Sequence, residues 1–157
     1  WYTRGDLTLN AHVGFGAQKK AAITPDPSTG ALRDSQWIGV SVLAAYKLTQ
    51  RTECVLRADY IINDKNGGGL LDYVFADGVN GIGPDQNGGD PEKGTNRYAV
   101  TAGLNYALNA NVTLKGEFRY DGASKDVFAN KDALVGGTDP KFTKSSSLVG
   151  GAVVIAF

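Results

Sequence analysis

Cysteine, histidine and methionine are close to missing from this chain, with one Cys, one His and no Met among 157 residues. A lone cysteine, Cys54, excludes an internal disulfide framework and any cysteine-built zinc site. A lone histidine, His12, excludes the multi-histidine metal centres. Sixteen basic and sixteen acidic residues cancel, so no basic surface suggests nucleic acid and no acidic tail suggests a solubilising arm. No apolar run approaches the ~20 residues of a membrane helix, and no signal peptide opens the chain. That absence does not exclude a membrane, because barrel strands alternate and their average hydropathy resembles that of a water-soluble protein. Without Met, and opening on Trp1-Tyr2, the chain is expected to be a processed or truncated product.

What the chain does have is glycine, 21 residues of it, and alternation of period two. Six strands are expected, at about 7–18, 36–48, 53–63, 97–108, 112–121 and 145–157. Trp1 and Tyr2 are expected to end an earlier strand, with Thr3 to Asp6 as its turn. Connections alternate between short (49–52, 109–111) and long (19–34, 64–96, 122–144), and the long ones carry the Gly, Pro, Asn and Asp that break periodicity. One face of each strand is uncharged throughout. The opposite faces hold Lys47, Arg57, Asp59, Arg97, Lys115, Glu117, Arg119 and Asp121. A soluble sandwich also keeps charge off its core, but it does not sort its loops by length. A membrane barrel does both: it has short turns on one side and long loops on the other. A lipid-facing Arg or Lys at the bilayer midplane also costs it roughly 2–4 kcal/mol. The expected class is therefore all-β, a transmembrane antiparallel up-and-down β-barrel. Since the smallest single-chain barrels have eight strands, residues 1–157 are expected to be the C-terminal part of one larger barrel domain, unless several chains pool strands as a homo-oligomer.

The last stretch, SSSLVGGAVVIAF, alternates down to a terminal aromatic, Phe157. It resembles the C-terminal signature of bacterial outer-membrane β-barrels, in which the terminal aromatic belongs to the signal read by the insertion machinery. That resemblance implies an outer-membrane location, periplasmic short turns and extracellular long loops. Tyr46, Tyr106 and Phe157 then fall at the short-turn interface and Tyr60, Tyr98 and Tyr120 at the long-loop interface, as two aromatic girdles. More narrowly, the runs YKLTQRTECVLRADYI, NGGGLLDYVFADGVNGIGPD, NRYAVTAGLNYALNANVTLKGEFRYDGA and SLVGGAVVIAF resemble an uncharacterised family of porin-like outer-membrane proteins of proteobacteria. This likeness implies a fold more than an activity.

The charged inward residues are the candidate site. Small side chains at Ala99, Thr101 and Gly103 are expected to let Arg57 and Asp59 reach across to Lys115, Glu117 and Arg119. Such a wall either lines a conducting pore or plugs a narrow barrel with salt bridges. Inward cations outnumber inward anions, which predicts a weak anion preference. Gly39, Leu43, Ala45, Leu148, Gly150, Ala152 and Val154 leave an apolar inward patch. The loop residues Leu70, Leu71, Tyr73, Val74 and Phe75 are candidates to cover it, folding inward to constrict the pore; the alternative is a hydrophobic cluster within the extracellular cap. His12 points inward without a local active-site motif around it or Ser41, so it is expected to line the lumen rather than to catalyse. Residues 77–92 are acidic and glycine-rich but match no calcium-loop spacing. The expected function is a porin passing small hydrophilic solutes by diffusion, with a narrow plugged barrel that adheres through its loops as the alternative and an enzymatic barrel third. No cofactor, metal or nucleic acid is expected; outer-membrane lipid and the insertion machinery are the expected partners.

Overall fold

The computed structural model describes residues 2–21, 29–65, 95–129 and 142–157. They form β1 (Tyr2–Arg4), β2 (Leu7–Ala21), β3 (Arg33–Lys47), β4 (Thr52–Lys65), β5 (Arg97–Ala107), β6 (Val112–Ala123), β7 (Phe128–Ala129), β8 (Phe142–Thr143) and β9 (Ser145–Ile155). There is no helix among the described residues. Seven strands make one antiparallel sheet in the order β1-β2-β3-β4-β5-β6-β9, and β7 and β8 pair as a separate ribbon. Strands adjacent in the large sheet follow one another along the chain, so the sheet is a meander. Its edge strands β1 and β9 do not pair with each other, and the sheet is open.

β1 stands where an earlier strand ending at Trp1-Tyr2 was expected but runs on to Arg4, and the turn after it is tighter than Thr3 to Asp6. Arg4 pairs directly with Leu7, which leaves Gly5-Asp6 as a two-residue turn. Gly5 takes φ +57° at the first central position, where an L side chain would be strained. The turns at 48–51 and 108–111 share one geometry. Leu48 and Thr49 N–H donate to the Thr52 carbonyl, as Leu108 and Asn109 N–H do to that of Val112. Thr49 Oγ1 and Asn109 Oδ1 each accept from the backbone two residues on, at 3.1 Å and 2.9 Å. Every short turn also passes a carbonyl to the next strand over: Asp6 to Lys47, Arg51 to Ala107 and Asn111 to Ala156. Polar turn residues therefore extend the ladder instead of interrupting it.

The two central hairpins repeat each other in register. The pairs Val40–Tyr60 and Tyr46–Cys54 of β3–β4 recur as Val100–Tyr120 and Tyr106–Leu114 of β5–β6. Alternation sends side chains to opposite faces at every step, and in β5 the two faces differ sharply. Val100 is 49% exposed, whereas its neighbours Ala99 and Thr101 are 4% and 8% exposed. The uncharged face is bare across the sheet, from Val13 and Phe15 through Val42, Leu56 and Leu104 to Val149 and Val153. Burial is concentrated on the charged face and at the long-loop end of β4–β6. There Asn63 N–H donates to Asn96 Oδ1, Asn63 Nδ2 donates to the Thr95 carbonyl at 2.7 Å, and Val127 is fully enclosed.

Candidate functional site

Residues directly opposite on paired strands share a face and a level, so the register fixes which charges meet. One row on the polar face runs Leu43, Arg57, Thr101, Arg119, Leu148. The next row toward the long loops runs His12, Ser41, Asp59, Ala99, Asp121, Ser146. A row of two arginines therefore lies beneath a row of two aspartates, with β5 between the members of each pair. Two strand spacings separate Asp59 from Asp121, roughly 10 Å. The alternation that puts every second residue on one face produces this layering directly, because Arg-x-Asp occurs on both β4 and β6.

Small residues on β5 were expected to let charges join across it. The ion pairs instead form along each strand. Arg57 Nε lies 2.9 Å from Asp59, and Arg119 contacts Asp121 through Nε and Nη2, the closest approach being 2.8 Å. Residues two apart on a strand point the same way and are already within reach, so an Arg need not extend over a neighbouring strand to find its carboxylate. Asp59 and Arg119 stand one level apart on either side of β5, and Ser41 lies directly opposite Asp59 on β3. Above the aspartates, the Arg97 guanidinium stacks over Phe128 with 4.7 Å to the ring centroid. The β7–β8 ribbon is thereby tied to the mouth of this face.

Lys47, Lys115 and Glu117 lie nearer the short turns on the same face. Glu53, which parity also places there, was missed by the sequence reading. It sits opposite Lys47 and accepts from Asn105 Nδ2 at 2.9 Å. With Glu53 counted, the inward cations Lys47, Arg57, Arg97, Lys115 and Arg119 face Glu53, Asp59, Glu117 and Asp121, so the positive excess is smaller than expected. A second omission was Trp37. Its parity follows from Gly39 and Ser41 two and four positions on, which places it on the polar face. The indole lies along β2 over Gly14 and Gly16, and a Cβ at Gly16 would clash with its Nε1 and Cε2.

The inward apolar residues do not form one patch. Leu43 and Ala45 on β3 are separated from Leu148, Gly150, Ala152 and Val154 on β9 by the three charged or polar strands β4–β6. The proposed covering residues Leu70, Leu71, Tyr73, Val74 and Phe75 lie outside the described residues, as does the 77–92 loop. On the uncharged face, Tyr60 stands opposite Tyr98, and the Tyr98 and Tyr120 rings are 6.2 Å apart at 42°. The Tyr98 ring covers Gly122, its partner across the strand pair. Tyr46 and Tyr106 are exposed at the other end, and Phe157 extends beyond β9. Among the described residues no group of His, Cys, Asp and Glu is arranged to hold a metal ion.

On the polar face, between β2 and β6, is a groove of about 370 Å³ lined by His12, Trp37, Ser41, Asp59, Arg97, Arg119 and Asp121 among others. Trp37 lies at its β2–β3 end, and the lining from β4 to β6 carries both signs of charge. The family described as "Protein of unknown function (DUF3138)" matches residues 1–157. No curated protein and no solved structure matches the chain.

Proposed function

The chain belongs to that family of unknown function, and we propose that its sheet is part of the wall of a bacterial outer-membrane porin through which small hydrophilic solutes diffuse. The observation that carries this reading is the contrast between the two faces. A bare apolar surface spanning the six strands β2–β6 and β9 is far larger than a protein in water leaves uncovered. Hydrocarbon solvates such a surface at no cost, and closing the wall would pair the free edges. In this reading outer-membrane lipid contacts the tyrosines and valines of the uncharged face. The insertion machinery reads β9 and Phe157, and the short turns face the periplasm. Solutes pass over the rows of Arg and Asp, and selection is electrostatic and steric with no catalytic step. The small excess of inward cations gives a weak anion preference.

A narrow, plugged barrel is the second reading, favoured by the two ion pairs that keep Arg57 and Arg119 occupied. Planar-bilayer recording separates the two. Stepwise, lasting current, with a reversal potential displaced toward the anion potential in a KCl gradient, is expected of the porin. Verified insertion without current selects the plugged form.

A further inference from the structure

The groove around Trp37 differs from the rest of the polar face, and we infer that it is a subsite for a neutral, polyhydroxylated solute of saccharide type. This inference deepens the porin reading and rests on it for the route by which the solute arrives. Three observations point to the ligand class.

First, the Trp37 indole is laid low over two glycines of β2, in space that a side chain at 16 would need and close against 14. An aromatic ring held down on a strand presents an apolar platform to whatever enters the groove, and the C–H face of a pyranose matches such a platform. Second, the polar groups beside it are planar and paired. Arg119 and Asp121 form one fork, while Asp59 is held by Arg57 and neighboured by Ser41. Vicinal hydroxyls donate to a carboxylate and accept from a guanidinium at the same time, so a sugar can use such groups without separating the pair. Third, the lining charges balance, with Asp59 and Asp121 against Arg97 and Arg119. An ionic solute of either sign would meet a repelling group beside each attracting one. A neutral solute meets none. The volume lies at the small end of ligand pockets, roughly 300–1,000 Å³, and suits one or two sugar rings.

Cellobiose is the probe, because its equatorial hydroxyls leave flat apolar ring faces. Added to open channels in a planar bilayer, it is expected to reduce the current in a saturable way. Sodium gluconate at the same concentration is expected to have little effect. Trp37→Ala should weaken the block about tenfold, and Trp37→Phe, which keeps a ring, should weaken it less. The block is read as a fraction of each variant's own unblocked current, so a change in basal conductance does not enter the comparison. Open channels that cellobiose does not block, or that gluconate blocks equally well, overturn the subsite and leave the porin reading intact. If the bilayer stays silent, the porin reading fails, and tryptophan fluorescence of the detergent-folded protein decides the subsite by itself. A saturable change with cellobiose that Trp37→Phe abolishes supports the subsite. No change, or one that survives in Trp37→Phe, overturns it.

Discussion

An alanine at position 16 would place its methyl group inside the indole of Trp37, which spans Gly14 and Gly16 along β2. The ring must then lift off the strand or the strand must bend. Overpacking of this kind typically costs about 1–3 kcal/mol. Gly16→Ala is therefore expected to lower the unfolding midpoint in detergent and to shift tryptophan emission. Gly150→Ala, whose Cβ meets nothing within 4 Å, is expected to change neither. Equal effects of the two substitutions would show that Trp37 does not lie where it is described. Glycine here serves close approach and not chain reversal, because neither Gly14 nor Gly16 has a positive φ. The sequence shows that glycines occupy alternate positions of the first long strand, but it does not show what lies over them. Trp37 meets them only through the pairing of Gly16 with Trp37 across two strands.

At the level of strands and turns, period-two patterning carried most of the information. Charge on one parity and valine, leucine and tyrosine on the other are readable directly in β4, β5 and β6, and the structure keeps that assignment. Lipid contact on the uncharged face makes an asymmetric prediction. Leu56→Arg, on the exposed uncharged face midway between the two tyrosine levels, should destabilise the protein folded into vesicles by roughly 2–4 kcal/mol, measured by urea titration. Gly150→Arg, on the polar face with open space above it, should stay within about 0.5 kcal/mol. If Leu56→Arg is as mild as Gly150→Arg, the uncharged face is not in hydrocarbon. In the turn at 48–51, Thr49 Oγ1 accepts from both Arg51 and Thr52 N–H. Thr49→Val should cost about 1 kcal/mol by the same titration, since the methyl keeps the shape and loses both bonds. Pairing partners of the ionic groups were less legible. Arg57 and Arg119 turned to the aspartates two positions ahead, because proximity along one strand outweighed reach across another.

For the molecule as a whole, what matters is the sum of charges on the polar face and the state of its edges. Glu53 brings the inward count near balance, so the proposed anion preference depends on few residues. Lys47 and Lys115 lie toward the short turns, away from the Trp37 groove. Lys47→Glu with Lys115→Glu should therefore reverse the sign of the reversal potential in a KCl gradient while leaving cellobiose block unchanged. A reversal potential that does not move would mean that these side chains do not face the ion path. Among the described residues the seven strands form an open sheet, and a closed wall requires further strands to pair with β1 and β9.

By itself the sequence determined the all-β, antiparallel character, the sidedness of each strand and the tight polar turns, because all of these follow from local periodicity and from side chains that bond their own backbone. Tertiary structure alone decided the rows of Arg beneath Asp, the seating of Trp37 on glycines from another strand, the splitting of the inward apolar patch and the place of Glu53 beside Asn105. Each of these depends on register between strands, and a shift of one residue would turn every one of these side chains to the opposite face.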